Sequence, residues 1–314
     1  MLSFCQENSS SLCRLVCSKR GVMMKAFQKP PLTLQKQLQQ LQERYQVKIK
    51  DTQKALLYLQ HCNYYRLRGY WLYFEQKGLD ADFDAIINLY EFDKSLRDLL
   101  LSNIERVETS IKSSFAYHLT ITYNNAHIHC DPSLFNNKRY YSESIKKLTE
   151  AFKNSNETYA LHFKDNYYES IPPLWVNVEL MTFGEISKWI RNLNIKDTKE
   201  IAKSYNLKSA KVFTSILYHL TEVRNRAAHH ARVWNISFKN RFEIPKKYKT
   251  ILSQEKFLLS HTLIVLKDLL DIIYPQHTLI NNFFALVQKY KIPLQEMGVD
   301  RTIENRLYIA TSLI

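Results

Sequence analysis

The residues best suited to chemistry lie in one short run, Arg224-Asn225-Arg226-Ala227-Ala228-His229-His230. An imidazole with a pKa near ~6.5 can take the 2′-hydroxyl proton of RNA or protonate the 5′-oxygen leaving group. A guanidinium binds phosphate through paired hydrogen bonds and steadies the charge growing on its oxygens. An Arg-x-x-x-x-His pair therefore suits RNA cleavage, with a 2′,3′-cyclic phosphate and a 5′-hydroxyl as products. That chemistry calls for no metal and no cofactor. Such a short pattern also recurs by chance. An arginine paired with Glu222 or another helix carboxylate, beside surface histidines, accounts for it as well.

The helix that must carry the run starts at Ser209. On a helical wheel Phe213, Ile216, Leu217, Leu220, Val223 and Ala227 form an apolar stripe. Arg224 falls inside it, within ~40° of Phe213 at ~100° per residue. An arginine facing a core requires an acceptor. His229 falls ~140° further round, on the side of Asn225, its i+4 partner. Arginine reach, a helix distortion at Ala227-Ala228, or a second copy of the chain must close that gap.

The other elements are helical too. Thr33 caps a helix to about Tyr45, and Asp51-Thr52 caps one through His61. An aromatic and basic cluster follows at 64–74. The longest signal runs from Asp84 to about Thr120, with Leu96, Leu99, Leu100, Ile104, Val107 and Ile111 on one face; Asn103, Ser110 and Ser114 interrupt that face and admit a close neighbour. Residues 121–140 read as a loop, Ser142 to Lys153 as a helix, and the stretch through Tyr168 as polar connection. Pro172-Pro173 opens a helix to Met181, Gly184 breaks it, and a short helix runs to Leu193. Asp197 caps a helix to Tyr205. Residues 236–250 read as an irregular or β-like excursion, and closing helices cover roughly 253–273 and 278–290. With no repeat and no linker, the expectation is one all-α helical bundle with irregular inserts over 25–314. Residues 1–24 are expected to be disordered or an upstream extension, with Met23 or Met24 as the start.

Bulk properties narrow the function. The 314 residues hold 44 Lys+Arg against 30 Asp+Glu, a net charge of +14, which favours a polyanionic partner such as RNA. The 5 glycines form no phosphate-cradling loop, which excludes Rossmann and P-loop nucleotide sites. No apolar run reaches the ~18 residues of a membrane span, so no membrane partner is expected. Cys5, Cys13, Cys17, Cys62 and Cys130 are odd in number and lack a CxxC pair, which fits a reducing, cytoplasmic setting without disulfides or zinc.

Ordered segments from about 25 to 235 carry a resemblance. They are Lys29-Pro30-Pro31-Leu32-Thr33 with Gln37, then Tyr64-Tyr65-Arg66-Leu67-Arg68-Gly69-Tyr70-Trp71. Phe92-Asp93 with Leu96-Arg97 and Ile104-Glu105-Arg106-Val107-Glu108 follow. Leu174-Trp175-Val176 with Glu179 and Phe183-Gly184 precede Arg224-Asn225 and Ala228-His229-His230-Ala231-Arg232-Val233-Trp234-Asn235. In these the chain resembles the bacterial abortive-infection Abi-like family (the AbiD/AbiF group) of the HEPN class of helical ribonucleases. It departs at Lys112, where relatives often carry arginine, and after Met297-Gly298-Val299, where their tryptophan is missing. The resemblance implies a HEPN-like bundle and a phage-defence endoribonuclease with Arg224 and His229 as the catalytic pair. It further implies a homodimer, because such sites form where two motifs meet, and regulation by a structured non-coding RNA.

Around that pair, Glu108 (or Glu105) is the carboxylate expected to orient Arg224 or His229, or else a solvated flank charge. His230 is the alternative base to His229. Arg66, Arg68, His230, Arg232, Lys246 and Lys247 are the candidate RNA contacts. The aromatics at 64–74 read as core before base-stacking surface. The other function class is a HEPN protein with little or no cleavage that binds and scaffolds a non-coding RNA or a protein partner.

Overall fold

A computed structural model describes residues 29–309; the expectation for residues 1–24 lies outside the described residues. Among these the chain forms α-helices and short 3₁₀ turns, with no strand beyond two isolated bridges. The fold is all-α. The helices are α1 (Leu34–Tyr45), α2 (Thr52–Cys62), α3 (Tyr64–Lys77), α4 (Phe83–Tyr123), α5 (Lys138–Asn154), α6 (Thr158–Asn166), α7 (Leu174–Asn177), α8 (Phe183–Asn192), α9 (Ile195–Lys203), α10 (Ala210–Ala228), α11 (Leu259–Ile273), α12 (Leu279–Tyr290) and α13 (Arg301–Tyr308). They fall into two compact units, 29–84 and 85–309.

In the first unit Thr33 caps α1 through Lys36 N at 3.3 Å, and Asp51 caps α2 through Lys54 N at 2.9 Å. Asn63 sits at φ 62 between α2 and α3, and its side chain accepts from Tyr65 N. The tyrosine-rich stretch is indeed mostly core. Leu67, Tyr70, Trp71 and Tyr73 are buried, and Trp71 packs edge-on to Tyr64 at 4.9 Å.

The second unit is built on α4, about 60 Å long at ~1.5 Å per residue. Phe92, Leu96, Leu100, Ile104, Val107, Ile111, Phe115 and Leu119 form its fully buried stripe at i+3 and i+4 spacing. The polar residues in that face have partners. Ser110 and Ser114 both bond the Tyr205 hydroxyl, at 3.0 and 2.8 Å. At its far end His118 and Tyr123 reach Asp197 at 2.9 and 2.7 Å. Burial opposes ionisation of Asp197, yet hydrogen bonds from Tyr123, Asn194 and His118 prevail and hold its carboxyl below the usual range. α10 packs on α8, α9 and α11, and α11 carries α12 and α13.

Several boundaries differ from the sequence expectations. α4 runs on to Tyr123 and α5 starts at Lys138, so the loop between them is short and partly 3₁₀. The polar connection holds α6, whose Ala160 and Phe163 bury against Phe152 in a small separate core. Asn194, not Asp197, caps α9. Gly184 does not break a helix; it lies in the first turn of α8, inside the Thr182–Glu185 capping box, where a Cβ would meet Thr221 of α10 at an ordinary 3.5 Å. The expected helix to Met181 is one α-turn continued by a 3₁₀ turn, Val178–Leu180. Residues 236–250 form no strand; Phe238 and Phe242 fold onto His219 instead. Near the C-terminus Gly298 has φ 72 and lies so close to Ser260 and Leu258 that a Cβ would clash at 2.8–3.0 Å, so the Met297-Gly298-Val299 turn requires glycine.

Three histidines are buried among the described residues of this unit; burial lowers His261, and it shifts His219 and His129 furthest. His219 donates from Nδ1 to the Asn240 carbonyl at 2.8 Å and accepts from Thr262 at Nε2 at 2.9 Å. Burial pushes it down to about 4, and burial does the same to His129. Each is neutral when folded and protonates near ~6.5 when unfolded. Between those values the unfolded chain binds up to two more protons, so stability falls as pH falls from 6.5 toward 4, by up to ~2.7 kcal/mol per pH unit. Urea unfolding at pH 7.5, 6 and 5 should show that loss, with a shallower slope in His219→Gln. A stability independent of pH over this range would contradict it.

Candidate functional site

α10 begins with Ser209 accepting from Val212 N at 3.3 Å and ends at Ala228. Its C-terminus is a Schellman arrangement. His230 N bonds the Ala227 carbonyl at 3.1 Å, and Ala231 N bonds the Arg226 carbonyl at 2.7 Å. His230 occupies the left-handed position, φ 56, that usually takes glycine. Arg226 folds back so that its Nε and Nη2 donate to the Arg232 carbonyl at 3.1 and 2.7 Å. His229 is thus the C-cap, with φ −92 and ψ 19. Its own amide still bonds the Asn225 carbonyl at 3.0 Å, so the helical path that sets it ~140° from Arg224 reaches as far as His229.

The chain leaving this cap is held from α4. Asp93, fully buried, accepts from Val233 N at 3.0 Å and Trp234 N at 2.7 Å through one oxygen. Its other oxygen pairs with buried Arg97 one turn on. Val233 and Trp234 are themselves fully buried. A single carboxylate therefore fixes where the segment after the histidines lies. Sequence reasoning gives Asp93, Arg97 and Arg226 no role of their own; the i,i+4 spacing of Asp93 and Arg97 is the signal that could have found the first two.

Arg224, one turn before the cap, meets α4 as well. Its Nε lies 3.8 Å from Glu108 Oε2, an ion pair rather than a hydrogen bond. Glu108 Oε1 is 3.2 Å from Lys112 Nζ, so the carboxylate is clamped between two cations. Of the two open readings, an orienting carboxylate or a solvated flank charge, Glu108 has the geometry of the first and exposed Glu105 that of the second. The Arg224 terminal nitrogens donate no hydrogen bond among the described residues.

Arg224 opens onto a depression of about 370 Å³ lined by Asp98, Leu101, Ser102, Glu105 and Glu108 of α4. Three carboxylates there face one guanidinium. Among the described residues no group of three or more His, Cys, Asp or Glu is placed to hold a metal ion. Asn225, His229 and His230 are exposed and do not line the depression. One chain brings Arg224 and Glu108 together but not Arg224 and His229.

The remaining candidates are dispersed. Arg232 is half-buried. Lys246 is exposed on a 3₁₀ turn, whereas Lys247 pairs with Asp268 at 2.8 Å. In the first unit Arg66 is exposed, and Arg68 is half-buried with its Nε sequestered from solvent.

Among known proteins, a family model described as Abi-like protein matches residues 57–235, more than half of the chain. The match runs from within α2 to just past Trp234, and so contains both ends of the Asp93 clasp. No curated protein and no solved structure matches the chain.

Breaking a buried ion pair on one side costs about 3–5 kcal/mol, because the other charge stays buried alone. Asp93→Asn should therefore lower unfolding stability by that amount through the stranded Arg97, and Asp93→Asn with Arg97→Met should recover part of it. Urea midpoints measure this. A loss below about 1 kcal/mol for Asp93→Asn would remove the clasp from the account.

Proposed function

We propose a function on the premise that this chain belongs to the Abi-like protein family: it is an RNA-cleaving protein of the HEPN type acting in abortive infection. Membership associates the chain with abortive infection. The rest is our reading of the site.

In this reading Arg224 holds the scissile phosphate, oriented by Glu108. His229 takes the 2′-hydroxyl proton and an imidazole returns one to the 5′-oxygen, leaving a 2′,3′-cyclic phosphate and a 5′-hydroxyl. Asn225 stands beside His229. The observation that carries the reading is Arg224 itself: paired with Glu108 at 3.8 Å, open to a depression, one turn before an exposed histidine at a fixed helix end.

That depression is unsuited to RNA in a single chain, because Asp98, Glu105 and Glu108 repel a phosphate that one arginine must attract. A second copy adds an arginine and a histidine together with its own three carboxylates, so pairing serves the reaction only where the two α10 ends, and not the two depressions, meet. Two α10 ends brought together pool two arginines and two histidines, while each Glu108 still faces its own Arg224. The working form is accordingly a homodimer in the cytoplasm. Arg66, Arg68, His230, Arg232 and Lys246 contact the RNA backbone, and a structured non-coding RNA holds the enzyme in check.

A second reading is favoured by the same acidity and by the outward placement of His229: a protein that binds and scaffolds RNA or a protein partner with little cleavage. Activity separates the two. Wild type, Arg224→Ala and His229→Ala are expressed during phage challenge, growth is scored, and cellular RNA ends are mapped. Cleavage predicts cyclic-phosphate ends in wild type and a loss of about 10²–10⁴-fold in either variant. If all three are equally harmless and no such ends appear, the nuclease reading fails.

A further inference from the structure

A second concave site lies between α5 and α8. It is a cavity of about 410 Å³, and the fold sets its shape. Asn137 N bonds Asn192 Oδ1 at 2.7 Å, and Asn192 Nδ2 donates to the Asn137 carbonyl at 2.9 Å, which ties the start of α5 to the end of α8. Phe135, Tyr141 and Trp189 form the floor. Phe135 stacks on Tyr141 at 5.0 Å and meets Trp189 edge-on at 5.1 Å. The walls are preformed, so a ligand has no loop to order.

Charge sets this cavity apart. Lys147 of α5 and Lys188 and Arg191 of α8 line it, and all three are exposed. None of them has a carboxylate within ion-pair distance among the described residues. Glu143, the acidic residue of the lining, is taken up by Arg139 at 3.0 Å. Arg191 lies over the Tyr218 ring at 5.0 Å, a contact that steadies the guanidinium plane and uses none of its N–H donors. In the floor Trp189 is 4% exposed, yet its indole N–H meets no acceptor among the described residues. Unlike those of Trp71 and Trp234, that nitrogen is not sealed from solvent. Three like charges around one cavity repel one another, and an anion among them reverses that cost.

We propose that this cavity binds the terminal phosphate of a nucleotide, with Lys147, Lys188 and Arg191 on its oxygens and the base against Tyr140. A terminal phosphate carries about two charges at pH 7 and three acceptor oxygens, so one group meets several donors at once. A phosphodiester brings a single charge and leaves more of the three cations uncompensated. An acidic peptide spreads its carboxylates along a chain, whereas these cations converge on one cavity. Tyr140 lines the same cavity and is 59% exposed, which gives the attached base a face to stack on. The carrier of the phosphate is either a strand end or a free mononucleotide, since both present this group beside a base.

This inference goes beyond the cleavage reading and uses neither Arg224 nor His229. It is tested with the full chain and thymidine oligonucleotides, fluorescein-labelled at the 3′ end, that begin with a 5′-phosphate or a 5′-hydroxyl. Lacking a 2′-hydroxyl, these probes survive any nuclease activity. Anisotropy should show the phosphorylated probe binding about tenfold or more tighter. Lys147→Gln with Lys188→Gln should abolish that preference, and Lys147→Arg with Lys188→Arg should keep it. Lys256→Gln with Lys289→Gln, which removes the same charge elsewhere on the surface, should keep it too. Thymidine 5′-monophosphate as competitor then separates the carriers. Displacement near the probe's own Kd assigns a free nucleotide, and displacement only about a hundredfold above it assigns a strand end. Equal affinities for the two probes, or a preference that survives the double Gln variant, overturn the proposal. Inorganic phosphate competing as well as the nucleotide overturns it in favour of a simple anion site. A triglutamate peptide competing as well as the nucleotide overturns it in favour of an acidic protein.

Discussion

The carboxylate of Asp93 is the contact on which the candidate site depends. It is fully buried, it neutralises Arg97, and it holds the backbone of Val233 and Trp234, about 140 residues away in sequence. Removing such a charge from water is unfavourable by itself and is offset only when every lone pair finds a donor. Here the guanidinium and two amides supply them. The result is a fixed exit for the chain after α10. Given that exit, the helix must stop at Ala228, and His229 and His230 must turn outward at the cap. Arg226 reinforces the turn by holding the Arg232 carbonyl.

The same helix that is pinned at its end presents Arg224 to α4 one turn earlier. Glu108 then lies between Arg224 and Lys112, which sets the arginine at the rim of an acidic depression rather than in the core. The geometry separates two jobs. α4 orients the guanidinium, and the cap exposes the imidazole. Neither job is complete in one chain, because the carboxylates outnumber the arginine and the histidine stands outside the depression. In the proposed dimer it is the two α10 ends that meet, which sets two arginines and two histidines together while each Glu108 still faces its own Arg224.

Much of this is legible in the amino-acid sequence. The 3.6-residue stripe of α4 and the caps at Thr33, Asp51 and Ser209 are local signals, and local physics decides them. Arg224 in an apolar stripe announces the need for a carboxylate, and Glu108 meets it. What the sequence hides is long-range or terminal. Asp93 acts on amides far along the chain, which no window can contain. A wheel places His229 away from Arg224, as found, but it does not show that the helix ends there in a Schellman turn. Helix α6 is too short for its periodicity to stand out, and its two buried residues matter only once Phe152 is beside them. Gly184 looks like a breaker because its letter does not show that it lies in the first turn of a helix, where the Thr182–Glu185 capping box sets the start.

The central claim is that Arg224 and His229 form half of a site completed by a second copy. The most direct test mixes wild-type and Arg224→Ala chains in varied proportion at fixed total concentration, after the copies have exchanged, and measures the rate at which cyclic-phosphate ends form. A shared site predicts a rate that falls with the square of the wild-type fraction, since one altered copy disables the pair. A rate that falls in simple proportion would mean that each chain cleaves alone, and would contradict the account.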